Sequence, residues 1–174
     1  MRIIGGAHKG KGIQQPDIEL ARPMSDRARE AAFNVLGDIK DLQVLDLYSG
    51  SGALALESLS RGCVRAIAVD ASIQAVDVIK QNAAELGVID SMQIVHAPVG
   101  RWLMQVDMSF DLVFADPPFD NFDVSEFGLI GEKIMGGGTF VLKHHRRVDP
   151  PELDQLELKI NRRYGSTEVS FYKK

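Results

Sequence analysis

A chain of 174 residues fits one domain, and 45% hydrophobic with 25% charged residues excludes disordered, collagenous and coiled-coil classes. A single cysteine, Cys63, allows no intrachain disulfide and no Cys-based zinc site, and no apolar run approaches the ~18–20 residues of a membrane span. The net charge of -4 is unevenly spread: residues 1–29 carry six Lys/Arg against three acids, 143–174 eight against five, and 30–142 six against sixteen. An acidic body with basic ends follows, and the two ends form one basic surface if they meet. Residues 1–6 lack the apolar core of a signal peptide, so the expectation is a cytoplasmic protein of one domain over 1–174, with a basic arm or hairpin over 1–24 and a core over 25–174.

In chain order, residues 1–24 are rich in Gly, Lys and Pro and predict a short strand pair or arm. Ser25 is an N-cap, and apolar residues at 28, 31, 32, 35 and 36 have amphipathic helical spacing until Gly37. Residues 44–48 read as a buried strand, 52–61 as a helix and 65–69 as a second strand. Ser72 caps a helix with apolar positions 76, 79, 83 and 86, ended by Gly87. A strand over 92–95, a helix over 99–106 and a strand over 110–115, stopped by Pro117-Pro118, follow. A helix over 122–135, a glycine turn at 136–138 and a strand over 139–142 complete the alternation. This rhythm implies right-handed crossovers and a parallel sheet covered on both faces. Residues 156–160 and 167–172 alternate around Tyr164-Gly165-Ser166 and predict a hairpin at the sheet edge. The expected fold is α/β: a doubly wound, mostly parallel seven-stranded sheet with a C-terminal antiparallel hairpin and a small N-terminal basic extension.

Two segments carry chemistry. Asp46-Leu47-Tyr48-Ser49-Gly50-Ser51-Gly52 joins the first of these strands to its helix. Glycines there admit a ligand close to the backbone, and the helix N-terminus supplies partial positive charge. Gly50-Ser51-Gly52-Ala53-Leu54-Ala55 fits G-x-G-x-x-A, and Asp70, ending the next strand, is placed to accept from two ribose hydroxyls. This points to an adenosine-containing cofactor rather than a plain structural turn. Asp116-Pro117-Pro118-Phe119 follows the fourth strand. The Asp116 carboxylate and the Pro117 carbonyl can only accept, which suits an exocyclic amine with two N–H bonds; Phe119 offers a flat face for a base. A proline loop over a core Phe explains the prolines, but not an acceptor and an aromatic beside a cofactor loop.

These motifs resemble class I S-adenosylmethionine-dependent methyltransferases of nucleic-acid amines, which have the Rossmann-like methyltransferase fold. With Arg2-Ile3-Ile4-Gly5-Gly6, Arg22-Pro23-Met24-Ser25-Asp26-Arg27-Ala28-Arg29-Glu30, Glu57 and Tyr164-Gly165-Ser166-Thr167, the chain resembles the RsmD family from residue 2 to about 172. The resemblance implies methylation of guanine N2 in 16S ribosomal RNA, in free RNA or in the small ribosomal subunit, with no membrane and no metal. It implies catalytic roles for Asp116, Pro117, Pro118 and Phe119, and cofactor contacts at Asp46, Tyr48, Gly50, Gly52 and Asp70. Pro98 stands where the family has Asp or Asn near the adenine, leaving the Val99 amide to reach the ring.

Arg2, Lys9, Lys11, Arg22, Arg27 and Arg29 are candidate phosphate contacts, with Arg27 and Arg29 expected to point outward from the first helix. His144-His145-Arg146-Arg147 could join this surface, whereas Cys63 and Trp102 read as packing. A nicotinamide dehydrogenase also fits G-x-G-x-x-A and Asp70, but leaves the Asp-Pro-Pro-Phe segment unused. Other amine methyltransferases, acting on DNA adenine N6 or protein glutamine, and a non-catalytic RNA-binding assembly factor are the remaining alternatives.

Overall fold

The computed structural model describes residues 1–17, 23–118 and 124–174. Strands β1 (Gln43–Leu47), β2 (Arg65–Asp70), β3 (Met92–His96), β4 (Phe110–Ala115), β5 (Ile134–His145), β6 (Glu157–Tyr164) and β7 (Thr167–Lys173) form one sheet in the order β3-β2-β1-β4-β5-β7-β6. The first five are parallel, and β7 lies antiparallel between β5 and β6. Helices α1 (Asp26–Leu36), α2 (Ala53–Ser60) and α3 (Ile73–Leu86) pack on one face; α4 (Val99–Gln105) and α5 (Val124–Glu132) pack on the other.

Alternation along each strand divides the core. Val44, Ala66 and Phe114 meet Phe33, Leu56 and Ile79 of the first three helices. Their neighbours Leu45, Ile67 and Val113 point the other way, onto Val99, Leu103, Phe127 and Ile130. The cap residues act as the sequence predicts: Ser25 Oγ accepts from Ala28 N at 3.2 Å, and Ser72 Oγ from Ala75 N at 3.4 Å. The chain leaves β1 towards β2 on one side and reaches β4 on the other, so a crevice opens between β1 and β4 at their carboxyl ends. No described helix is long and apolar enough to cross a membrane.

One element differs from the sequence reading. The glycines at 136–138 do not turn the chain ahead of a short strand. Strand β5 already pairs Ile134 with Phe110 and resumes at Thr139 opposite Leu112, so the glycine run bulges from within it. Sterics account for this, since a Cβ on Gly138 would lie 2.7 Å from Ile134 Cγ2 and 3.0 Å from Asp111 O. Pairing with β7 then extends β5 to His145, and β6 continues to Tyr164.

Residues 1–13 form a hairpin, with Ile3 N donating to Lys11 O and Ile13 N to Met1 O, each at 2.9 Å. A fully buried carboxylate on α2 holds it down. Glu57 Oε2 accepts from Ile4 N at 2.7 Å, and Oε1 accepts from Gly5 N and Arg61 Nε, both at 2.8 Å. Arg29 Nε of α1 lies 3.9 Å from Glu57 Oε2, while Arg29 Nη2 donates to Asp26 Oδ1 at 3.0 Å and to Arg2 O at 2.5 Å. Arm, α1 and α2 therefore converge on one carboxylate. Glu57→Ala leaves two guanidinium groups and two backbone donors short of a partner. A destabilisation of about 3–5 kcal/mol is expected in urea unfolding, with faster amide exchange at residues 4 and 5. A loss below about 1 kcal/mol would contradict this role for Glu57.

Candidate active site

A cavity of about 390 Å³ occupies the crevice. It is lined by Asp46 and residues 48–51 from the first strand and its loop, residues 70–72 from β2, Asp116, Pro117 and Pro118 after β4, and Lys143 on β5. The arm and α1 add Met1, Gln15, Pro16, Pro23, Met24 and Arg29. The two motifs read from sequence thus share one space.

The loop is fixed by its own acids. Gly50 has φ +55°, and a Cβ there would meet nothing within 4 Å, so this left-handed residue borders open space. Its N–H donates to Asp70 Oδ2 at 2.8 Å, and Ser72 N donates to Asp70 Oδ1 at 2.8 Å. Asp70 joins the loop to the start of α3, and each of its oxygens keeps a second lone pair for a ligand. Asp46 is buried; Oδ2 accepts from Ala55 N at 3.1 Å, and Oδ1 has no partner among the described residues. Burial pushes the Asp46 carboxyl well above the usual carboxylate range, the Ala55 N–H works against it, and the Asp116 and Asp70 charges raise it further.

Two expected cofactor contacts are placed differently. Gly52, also left-handed at φ +75°, does not line the cavity; a Cβ there would lie 3.2 Å from Ile79 of α3, so this glycine serves helix packing. The Val99 side chain is buried in the core beneath α4 and Val99 does not line the cavity, while Pro98 is the exposed N-cap of that helix. Tyr48 does line it, and its hydroxyl donates to Glu126 of α5, whose Oε1 accepts from Gly100 N at 3.1 Å.

On the opposite wall, Asp116 Oδ1 accepts from Lys143 Nζ at 2.5 Å, with the lysine side chain only 3% exposed. Burial raises the Asp116 carboxyl; the charge and hydrogen bond of Lys143 and the Met24 N–H oppose that rise without cancelling it. The sequence reading missed Lys143. The available signal was a cation directly after the apolar run 140–142, one step past the Ala115–Leu142 pair that sets it beside Asp116. Phe119 lies outside the described residues.

Of the basic candidates, Arg2, Lys9, Lys11 and Arg27 are exposed and Arg22 lies outside the described residues. Arg29 is a correction: it is 1% exposed, not outward, because its helical position follows Ala28 and Ala32 onto α2, where Glu57 and Asp26 receive it. Nε and Nη1 of Arg29 lack hydrogen-bond partners among the described residues, and burial lowers the guanidinium pKa. His144 is also buried, with Nε2 2.8 Å from Ser170 Oγ, and so does not join a basic surface. Cys63 is buried, and burial pushes its thiol up to about 12, as suits inert packing. Among the described residues no group of three or more His, Cys, Asp or Glu could hold a metal ion.

This sheet order, with a cavity at the carboxyl ends of its central strands, defines a Rossmann-like methyltransferase. The solved structure of yhhF from Escherichia coli, described as a methyltransferase, superposes with a TM-score of 0.88 at 29% identity, covering 100% of this chain and 97% of that one. A protein of Thermus thermophilus, TTHA0928, gives 0.85 at 28% identity, with 98% of each chain covered. The chain matches the family model described as conserved hypothetical protein 95 over residues 1–173, and it belongs to that family, the RsmD family of rRNA methyltransferases. YlbH of Bacillus subtilis, which carries the name of an rRNA methyltransferase, is 33% identical over 182 residues, 100% of this chain and 99% of that protein. Ribosomal RNA small subunit methyltransferase D of Escherichia coli K12 is 38% identical over 120 residues, covering 68% of this chain and 60% of that protein.

A raised Asp46 pKa means that the folded protein holds this proton more tightly than the unfolded chain. The corresponding stability is present at low pH and is lost as pH rises beyond the ordinary carboxylate value of 3.8. Asp46→Asn, whose side-chain oxygen still accepts from Ala55 N, is expected to flatten the fall in Tm as pH rises above the ordinary carboxylate value. Parallel Tm–pH curves for the two proteins would contradict the burial effect.

Proposed function

We propose that the chain methylates the exocyclic N2 amine of a guanine in 16S ribosomal RNA, with S-adenosylmethionine as methyl donor. One observation carries the reading: the Gly50 loop with Asp70, and Asp116 with Pro117-Pro118, line the same cavity. The residues present fit the donor. Gly50 leaves backbone-lined space, Asp70 offers two fixed acceptor oxygens for ribose hydroxyls, and Asp46 Oδ1 is a buried polar atom without a partner among the described residues. When bound, S-adenosylmethionine supplies an electrophilic methyl group on a sulfonium centre.

The remaining work falls to the chain. A guanine amine is a weak nucleophile because its lone pair is delocalised into the ring. Asp116 and the Pro117 carbonyl accept its two N–H bonds, hold the nitrogen towards a tetrahedral shape and fix it against the donor loop, so positioning is the main catalytic effect. Pro117 and Pro118 lack N–H groups, which leaves only acceptors in this stretch of backbone. Phe119 is assigned to stacking on the base, which must leave its own stack to enter. Exposed Arg2, Lys9, Lys11 and Arg27 are assigned to RNA phosphates, and an rRNA substrate places the reaction in the cytoplasm.

The test is transfer of labelled methyl from S-adenosylmethionine to 16S rRNA and small subunits from cells lacking the modification. Wild type is expected to yield N2-methylguanine. Asp116→Ala should lower the rate by at least about 100-fold while donor affinity changes far less. Label on adenine N6 or on protein would overturn the substrate; RNA binding without transfer would favour the assembly-factor alternative.

A further inference from the structure

Lys143 is the buried cation for which the reaction as described above has no use. It ends the apolar face of β5, is 3% exposed, reaches Asp116 Oδ1 at 2.5 Å and lines the same cavity. A lysine so deeply buried is costly unless its charge is matched. An arrangement meant only to fill space would use an apolar residue, as Phe140, Val141 and Leu142 do on the same strand. Asp116 for its part stands where burial discourages its charge. Lys143 and the Met24 N–H favour its charge, and Arg29 of α1 and the N-terminal residue Met1 also line this space.

We propose that Lys143 is a positioning residue for methyl transfer: its ammonium pins one oxygen of Asp116 and keeps the carboxylate in the ionised, acceptor-only form that an incoming amine requires. The role rests on the methyltransferase reading given above. A protonated Asp116 would present an O–H donor where the substrate also presents donors, and the two would repel. A carboxylate has about four lone-pair sites, so acceptor capacity remains once Lys143 has taken its share. The ion pair also fixes the rotation of the carboxylate on which the direction of the amine N–H bonds depends.

Two measurements separate this role from packing. The first is titration of the Asp116 carboxyl by carbon-13 NMR in the unliganded protein, wild type against Lys143→Met. Loss of the neighbouring cation should move its midpoint up by about one unit or more. The second is the pH profile of single-turnover transfer, whose acidic limb should move up by the same amount. Each unit that the limb passes beyond the assay pH lowers the rate there about tenfold, and Lys143→Arg should restore part of it. Because Lys143→Met could also disturb packing, the double variant with Asp116→Asn is included. Its rate should equal that of Asp116→Asn alone, since the Asp116 carboxylate through which the lysine acts is then gone. An active wild type with an unmoved Asp116 titration in Lys143→Met, or additive effects in the double variant, overturns this role alone. Wild type that transfers no methyl to any RNA overturns the methyltransferase reading and this role with it.

Discussion

The buried Glu57 carboxylate is the constraint on which the architecture around the cavity depends. By accepting from Ile4 N, Gly5 N and Arg61 Nε while facing Arg29, it seats the N-terminal hairpin and α1 over the start of the sheet. A buried ion network of this kind adds little net stability compared with a well-packed apolar substitute. What it specifies is placement: Met1, Gln15, Met24 and Arg29 reach the cavity only because the arm and α1 are held there. The same network takes Arg29 out of contention as a surface phosphate contact.

Three carboxylates then meet where the parallel strands end. Asp46 is the penultimate residue of β1, Asp70 ends β2 and Asp116 follows β4, and each is handled differently. Asp70 uses both oxygens on backbone N–H groups and so builds the loop. Asp46 keeps one oxygen unpaired among the described residues, and Asp116 is matched by a lysine. The buried Asp46 Oδ1, without a partner among the described residues and at the wall of open space, is the strongest physical reason to read the crevice as a binding site rather than a packing defect.

Much of this was legible in the sequence. Ser25 and Ser72 announced their helices because an N-cap hydroxyl has a local task that needs no tertiary partner. Asp46, Asp70 and Asp116 were readable because a parallel sheet forces the ends of its strands to one edge. What stayed hidden depends on register or on distant partners. Lys143 lies beside Asp116 only because β5 bulges at 136–138 before it resumes against β4. Arg29 points inward because Glu57 waits there, twenty-eight positions along the chain. Gly52 fits a ligand-binding pattern, yet its missing side chain makes room for Ile79.

The proposed methyl-donor site, made by the Gly50 loop and Asp70, needs no RNA to bind its ligand. Calorimetric titration of S-adenosylmethionine into the protein alone, wild type against Asp70→Ala, tests it most directly. Saturable binding is expected at one site per chain, weakened at least about tenfold by the substitution, roughly the 1.4 kcal/mol of one well-made hydrogen bond. Equal affinity in the two proteins, with Asp70→Ala still folded, would contradict it.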